Sequence, residues 1–257
     1  MNMEDRHRLS LIIATLGPST DDPQELKTMI IAGIARQWTD GVDIARILHS
    51  DGEDITKERI LKFREESKKR KCDTSIYLDT DDTGEDNLTQ YFKFAQEIKP
   101  KYIVLRKKLG IEVIAQAKSL NIQDAQVGVR IKEEDDITDL TQFLEECDFA
   151  MFEIDSKRIH DEKLVLRSKE KNCEPIYLAK MPTLMSGQVQ SRDENLEIGH
   201  TLEDGFDMVA LYQETARGPY PARSVKCLDE IAVESEKLRV NPFGDFISKI
   251  FSIFKKK

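Results

Sequence analysis

VGVRIKEE, residues 127–134, is the stretch from which the fold can be read. Val127, Val129 and Ile131 alternate with Gly128, Arg130 and Lys132, and successive side chains of a strand fall on opposite faces. The apolar set therefore covers one face, and the two cations share the other. A short run of this kind suits a buried strand whose polar face looks into whatever the sheet encloses.

Working outward, a strand at Tyr102–Arg106 and a helix ending near Leu120 precede this run. A helix from about Asp136 to Cys147 and a strand at Phe149–Ile154 follow it. The same alternation fills the rest of the chain. Further strands are expected at Leu9–Leu16, Val42–Leu48, Thr74–Asp79, Pro175–Ala179 and Asp207–Leu211. Helices are expected at Asp21–Ile34, Glu53–Lys71, Leu88–Ile98, Ile159–Lys171, Pro182–Ser186, Asp193–Glu203 and Pro221–Leu238. Strand-helix repeats of this number predict an α/β fold of the (β/α)8 barrel type rather than an open sheet, with function on the loops that follow the strands. No GxGxxG or GxxxxGK[ST] follows any strand, which removes the dinucleotide and P-loop readings.

The chain has 257 residues, 39% hydrophobic and 34% charged, enough for a full barrel core. A net charge of −9 spread along the sequence argues against nucleic acid as a partner. Cys72, Cys147, Cys173 and Cys227 lack metal or disulfide spacing and are expected to be buried or half-buried. His7, His49, His160 and His200 have no mutual spacing of a site, and His49 is expected to face solvent. With no signal peptide and no membrane-spanning run, the expected compartment is the cytoplasm. The barrel is assigned to 1–238. The tail 239–257 carries apolar residues at helical spacing from Phe243 and ends in three lysines. It is read as an amphipathic helix packing on protein, with membrane contact as the alternative.

Several segments resemble the barrel domain of the pyruvate kinase family in order and spacing. They are ATLGPST at 14–20, VDIARILHSDG at 42–52, YLDT at 77–80, PIYLA at 175–179, SRDE at 191–194 and DGFDMVALYQETARGPYP at 204–221. The resemblance covers about residues 9–238. The family inserts a lid domain after the third strand, where the loop 81–87 is too short to hold one, and continues into a C-terminal domain, where little chain follows Leu238. It implies phosphoryl transfer between phosphoenolpyruvate and ADP with Mg²⁺ and K⁺, in which metal ions and cations neutralise the moving group.

Residue by residue, the resemblance divides. Arg46 matches a phosphate-contacting arginine, Ser50, Asp79 and Thr80 match potassium-site residues, and Glu214, Thr215 and Arg217 match the loop after the last strand. A potassium-site asparagine, however, has become Leu48, which offers no oxygen to a hard cation, and the following histidine has become Asp51. The family's strand-five lysine and Mg²⁺-binding glutamate fall on Arg130 and Lys132. Its second metal aspartate falls on Ser156, and a threonine near the substrate carbon on Lys180. A shifted register would pair Lys132 with Glu134 and bring in Asp155 as the second carboxylate, restoring a metal site.

The expectation is a catalytically impaired pyruvate kinase-like subunit of glycolysis. It would act by association with a full-length pyruvate kinase or with itself through barrel helices, and no cofactor is expected. One alternative is a reduced but active pyruvate kinase using Mg²⁺ and K⁺. The other is an anionic small-molecule sensor built on Arg46, Arg130, Lys132 and Lys180.

Overall fold

The computed structural model describes residues 8–32, 41–72, 74–80, 87–187 and 189–240. Eight strands form a closed parallel barrel in chain order. They are β1 (Leu11–Thr15), β2 (Ile44–Leu48), β3 (Ser75–Asp79), β4 (Tyr102–Arg106), β5 (Gln126–Lys132), β6 (Phe149–Glu153), β7 (Glu174–Leu178) and β8 (Met208–Leu211). Around them lie α1 (Pro23–Ile30), α2 (Glu53–Arg70), α3 (Leu88–Ile98), α4 (Ile111–Ser119), α5 (Leu140–Glu146), α6 (Ser156–Asp161), α7 (Leu164–Glu170), α8 (Arg192–Glu203), α9 (Gln213–Ala216) and α10 (Pro221–Val240). The chain thus forms the expected (β/α)8 barrel.

The departures are local and have local causes. The helix expected from Asp136 begins at Leu140, because the Asp136 carboxylate accepts the Thr138 amide at 3.0 Å and its hydroxyl at 2.9 Å, holding a turn. The helix expected over 159–171 is two helices, interrupted where Lys163 takes a left-handed conformation at φ 51°. Residues Pro182–Met185 form a 3₁₀ turn, and the last helix reaches Val240. The loop 81–87, except for Asn87, and the tail from 241 lie outside the described residues, and so do the expectations placed on them.

Strand parity sorts the core into two layers. Ile13, Ile44, Tyr77, Tyr102, Val104, Phe149, Met151, Ile176, Leu178, Met208 and Ala210 fill the barrel interior, while the alternate positions face the helices. Inside, the Phe149 ring lies 5.4 Å from Tyr77 and 5.7 Å from Tyr102. Gly128 is what admits it: a Cβ there would sit 2.3 Å from the Phe149 ring. Below this layer Arg8 ties the β1 end of the seam to its surroundings, with Nη1 2.8 Å from Asp43 and Nε 2.9 Å from Asp229. Glu236 of α10 accepts the amides of Leu9 and Ser10 at 2.6 and 2.7 Å. Above it, polar residues at the C-terminal strand ends form the mouth. Among the described residues no helix is long and apolar enough to cross a membrane.

Candidate functional site

The inward parity of β1, β2, β3 and β5 ends on Thr15, Arg46, Asp79 and Arg130, all without exposed surface. Asp79 Oδ2 lies 2.8 Å from Arg46 Nε and 2.7 Å from Arg46 Nη2, and 3.4 Å from Arg130 Nη1. Arg46 Nη1 donates to the Thr15 hydroxyl at 3.1 Å. The Tyr212 ring, following β8, covers the Arg46 guanidinium at 4.7 Å, a cation–π contact in a desolvated setting. Arg46, which the resemblance casts as a phosphate ligand, therefore has its donors occupied and its face covered. Asp79, cast as a potassium ligand, is the shared counterion of two arginines.

Nearer the rim, Arg130 Nη1 is 3.9 Å from Glu153 Oε2, and Glu153 stands beside Lys132 in the β5–β6 register. Lys132 is half-buried and Lys180 is exposed. The sensor reading brought Arg46, Arg130, Lys132 and Lys180 together as an open pocket; the first two have no exposed surface from which to bind a ligand.

The carboxylates of the shifted register point elsewhere. Glu134 is 66% exposed and pairs with Arg106 at 3.3 Å. Its own backbone amide, opposed by desolvation and helped by Lys132 and Arg106, holds its carboxyl below the usual range. Asp155 is exposed and caps α6, accepting the Lys157 amide at 2.9 Å, while its own amide donates to Glu133 at 2.8 Å. Ser156 is the first residue of α6. Cations at both β5 positions and a helix cap at the third form a donor set unsuited to Mg²⁺, which wants oxygen ligands in near-octahedral array. Among the described residues no three His, Cys, Asp or Glu side chains converge to hold a metal ion.

The loop after β8 is a fastening. Glu214 accepts the Met181 amide at 2.6 Å, and the Thr215 hydroxyl accepts the Thr15 amide at 3.0 Å. Gly17 lets the loops after β1 and β8 close, since a Cβ there would meet the Ala216 carbonyl oxygen at 2.5 Å. Arg217 is exposed, Ser50 is exposed in a 3₁₀ turn, and Thr80 is buried with its hydroxyl unpartnered. Asp51 instead serves Arg59, whose Nε and Nη2 also hold Asp21 at 2.7 and 2.9 Å. His49 departs from the expectation of solvent exposure. It is buried edge-on against Tyr91 at 5.3 Å and beside Phe94 at 5.5 Å, and burial pushes its pKa below 6.5 against a weaker pull from Glu53.

Four residues of the mouth were not singled out from the sequence: Thr15, Arg106, Glu153 and Tyr212. The first three were within the signal, because each lies an even number of residues along its strand from an interior residue: Ile13, Val104 and Met151. Tyr212 follows β8, and its contact with Arg46 is a matter of closure.

No family model matches the chain. It is similar to pyruvate kinase from Haemophilus influenzae, with 31% identity over 77 residues, 30% of this chain and 16% of that protein. The match thus spans far less than two thirds of the relative's length.

Proposed function

We propose that this barrel is a pyruvate kinase-type scaffold that does not transfer phosphoryl groups and that works by association, with an active pyruvate kinase or with a second copy of itself. The observation supporting the loss of chemistry is the state of Arg46: 0% exposed, bound to Asp79 and Thr15, and roofed by Tyr212. Phosphoryl transfer depends on cations and metal ions presented to the moving group. Here the interior cations are presented to the protein's own carboxylates. Association is the role such a scaffold can still perform, and the flank helices are the surface for it.

Two measurements test the reading. In a coupled assay with Mg²⁺, K⁺, ADP and phosphoenolpyruvate, no turnover above the uncatalysed rate is expected. Native mass spectrometry of the purified chain, alone and mixed with a full-length pyruvate kinase, is expected to show a complex. Measurable turnover would refute the catalytic part. A chain that stays monomeric in both samples would refute association.

A further inference from the structure

Away from the mouth, the last turns of α2 border a groove of 420 Å³ lined by Arg64, Ser67, Lys68, Lys71, Cys72 and Thr74. The described lining holds three cations and no carboxylate. Other cations of this helix are matched: Lys57 with Glu97, Arg59 with Asp21 and Asp51, Lys62 with Glu58, Lys69 with Glu65 and Glu66, and Arg70 with Glu66. Arg64, Lys68 and Lys71 form no ion pair among the described residues. Arg64 donates to the Ile98 carbonyl at 3.0 Å.

Ser67 supplies a second, independent observation. It is 2% exposed, and its hydroxyl has no hydrogen-bond partner. Buried hydroxyls elsewhere on the helices of this chain bond back to the carbonyl four residues earlier: Ser168 to Leu164 at 2.8 Å, Thr201 to Glu197 at 2.8 Å and Ser224 to Tyr220 at 3.0 Å. Ser67 makes no such bond, and a buried hydroxyl without a partner carries a penalty that a ligand acceptor would remove. Cations at a helix C-terminus are favoured by the helix dipole, which accounts for the charges and leaves the hydroxyl unexplained. The carbonyls of Ser67 and Lys68 are occupied by the amides of Cys72 and Lys71 at 3.0 and 3.2 Å, so they do not face the groove as free acceptors.

We propose that this groove binds a phosphate group, with Arg64, Lys68 and Lys71 neutralising it and the Ser67 hydroxyl donating to one of its oxygens. The proposal is independent of the function argued above. The group can belong to a small soluble phosphate or to a lipid headgroup, and two arms separate them. In the first, inorganic phosphate is titrated against the chain by thermal shift, with chloride at equal ionic strength as the control. In the second, the chain is sedimented with phosphatidylcholine vesicles with and without a phosphoinositide.

Lys68→Glu/Lys71→Glu alters two exposed side chains, so the fold is expected to persist, as circular dichroism will check. A phosphate-specific shift is expected for the native chain, with affinity weakened about tenfold for each cation reversed and by less in Ser67→Ala. Retention by phosphoinositide vesicles that the double variant abolishes would assign the group to a lipid. The proposal is overturned if neither arm shows binding, or if the folded double variant binds as the native chain does.

Discussion

Asp79→Asn keeps the volume of the side chain and removes one charge from the centre of the mouth, and the geometry sets the cost. The Asp79 Oδ2 is within 2.8 Å of two Arg46 nitrogens and 3.4 Å from Arg130, and all three residues have no exposed surface. Deleting one member of a buried ion pair typically costs about 3–5 kcal/mol, because the partner is left charged and dry. The amide oxygen of Asn still accepts a hydrogen bond, which places the expected loss near the lower end, about 3 kcal/mol. For a chain of this size each kcal/mol lowers Tm by about 2–4 °C, so a fall on the order of 10 °C is expected. Urea unfolding followed by far-ultraviolet circular dichroism measures the loss, with an unchanged m-value showing that stability alone has moved. Arg130→Met is the comparison. It removes one of two cations, leaves the Arg46–Asp79 pair whole and replaces the guanidinium with apolar volume, a change often close to neutral. An Asp79→Asn variant as stable as the native chain, or an Arg130→Met variant equally damaged, would refute the view that one carboxylate holds two guanidiniums.

Three further outcomes follow from other parts of the barrel. Gly128→Ala is expected to cost about 1–3 kcal/mol in the same urea assay, since the new methyl would lie 2.3 Å from the Phe149 ring and 2.5 Å from its carbonyl oxygen. His49, with a folded pKa below 6.5, binds a proton more readily when unfolded. Its contribution is therefore complete above pH 6.5 and is lost as pH falls, and His49→Phe is expected to flatten stability against pH in that acidic window. Burial pushes the Cys173 thiol up to about 12 and raises Cys147 further, and Cys227 is buried with its thiol also raised. Native protein at pH 8 is expected to react with a disulfide reagent at half-buried Cys72 alone, and rapid labelling of the other three would contradict their burial.

The alternation in VGVRIKEE could be read because period two survives whatever the strand packs against. Arg130 and Lys132 do share the inward face, with Arg130 buried and Lys132 at the rim. Helix starts were less legible where a side chain competes with the helix, as Asp136 does through Thr138. The candidate site was legible in membership and not in state. Arg46, Asp79 and Arg130 were each picked out, yet their union needs three strands at one height and Tyr212 arriving from β8. His49 failed for the same reason: a loop position beside a strand end suggested solvent, and Tyr91 and Phe94, far along the chain, cover it.

Charge balance explains why the mouth holds together without a ligand. Arg106 and Arg130 are neighbours in the β4–β5 register, an arrangement that repels unless anions intervene. Glu134 answers Arg106, Asp79 answers Arg46 and Arg130, and Glu153 stands between Arg130 and Lys132. A barrel that receives a polyanion must keep such cations open until the ligand supplies the negative charge. Here β3, β6 and the turn after β5 supply it within the chain. The ion pairs that bury Arg46 and Arg130 are therefore also what withholds them from a phosphate, and stability of the mouth and loss of its binding chemistry have one cause.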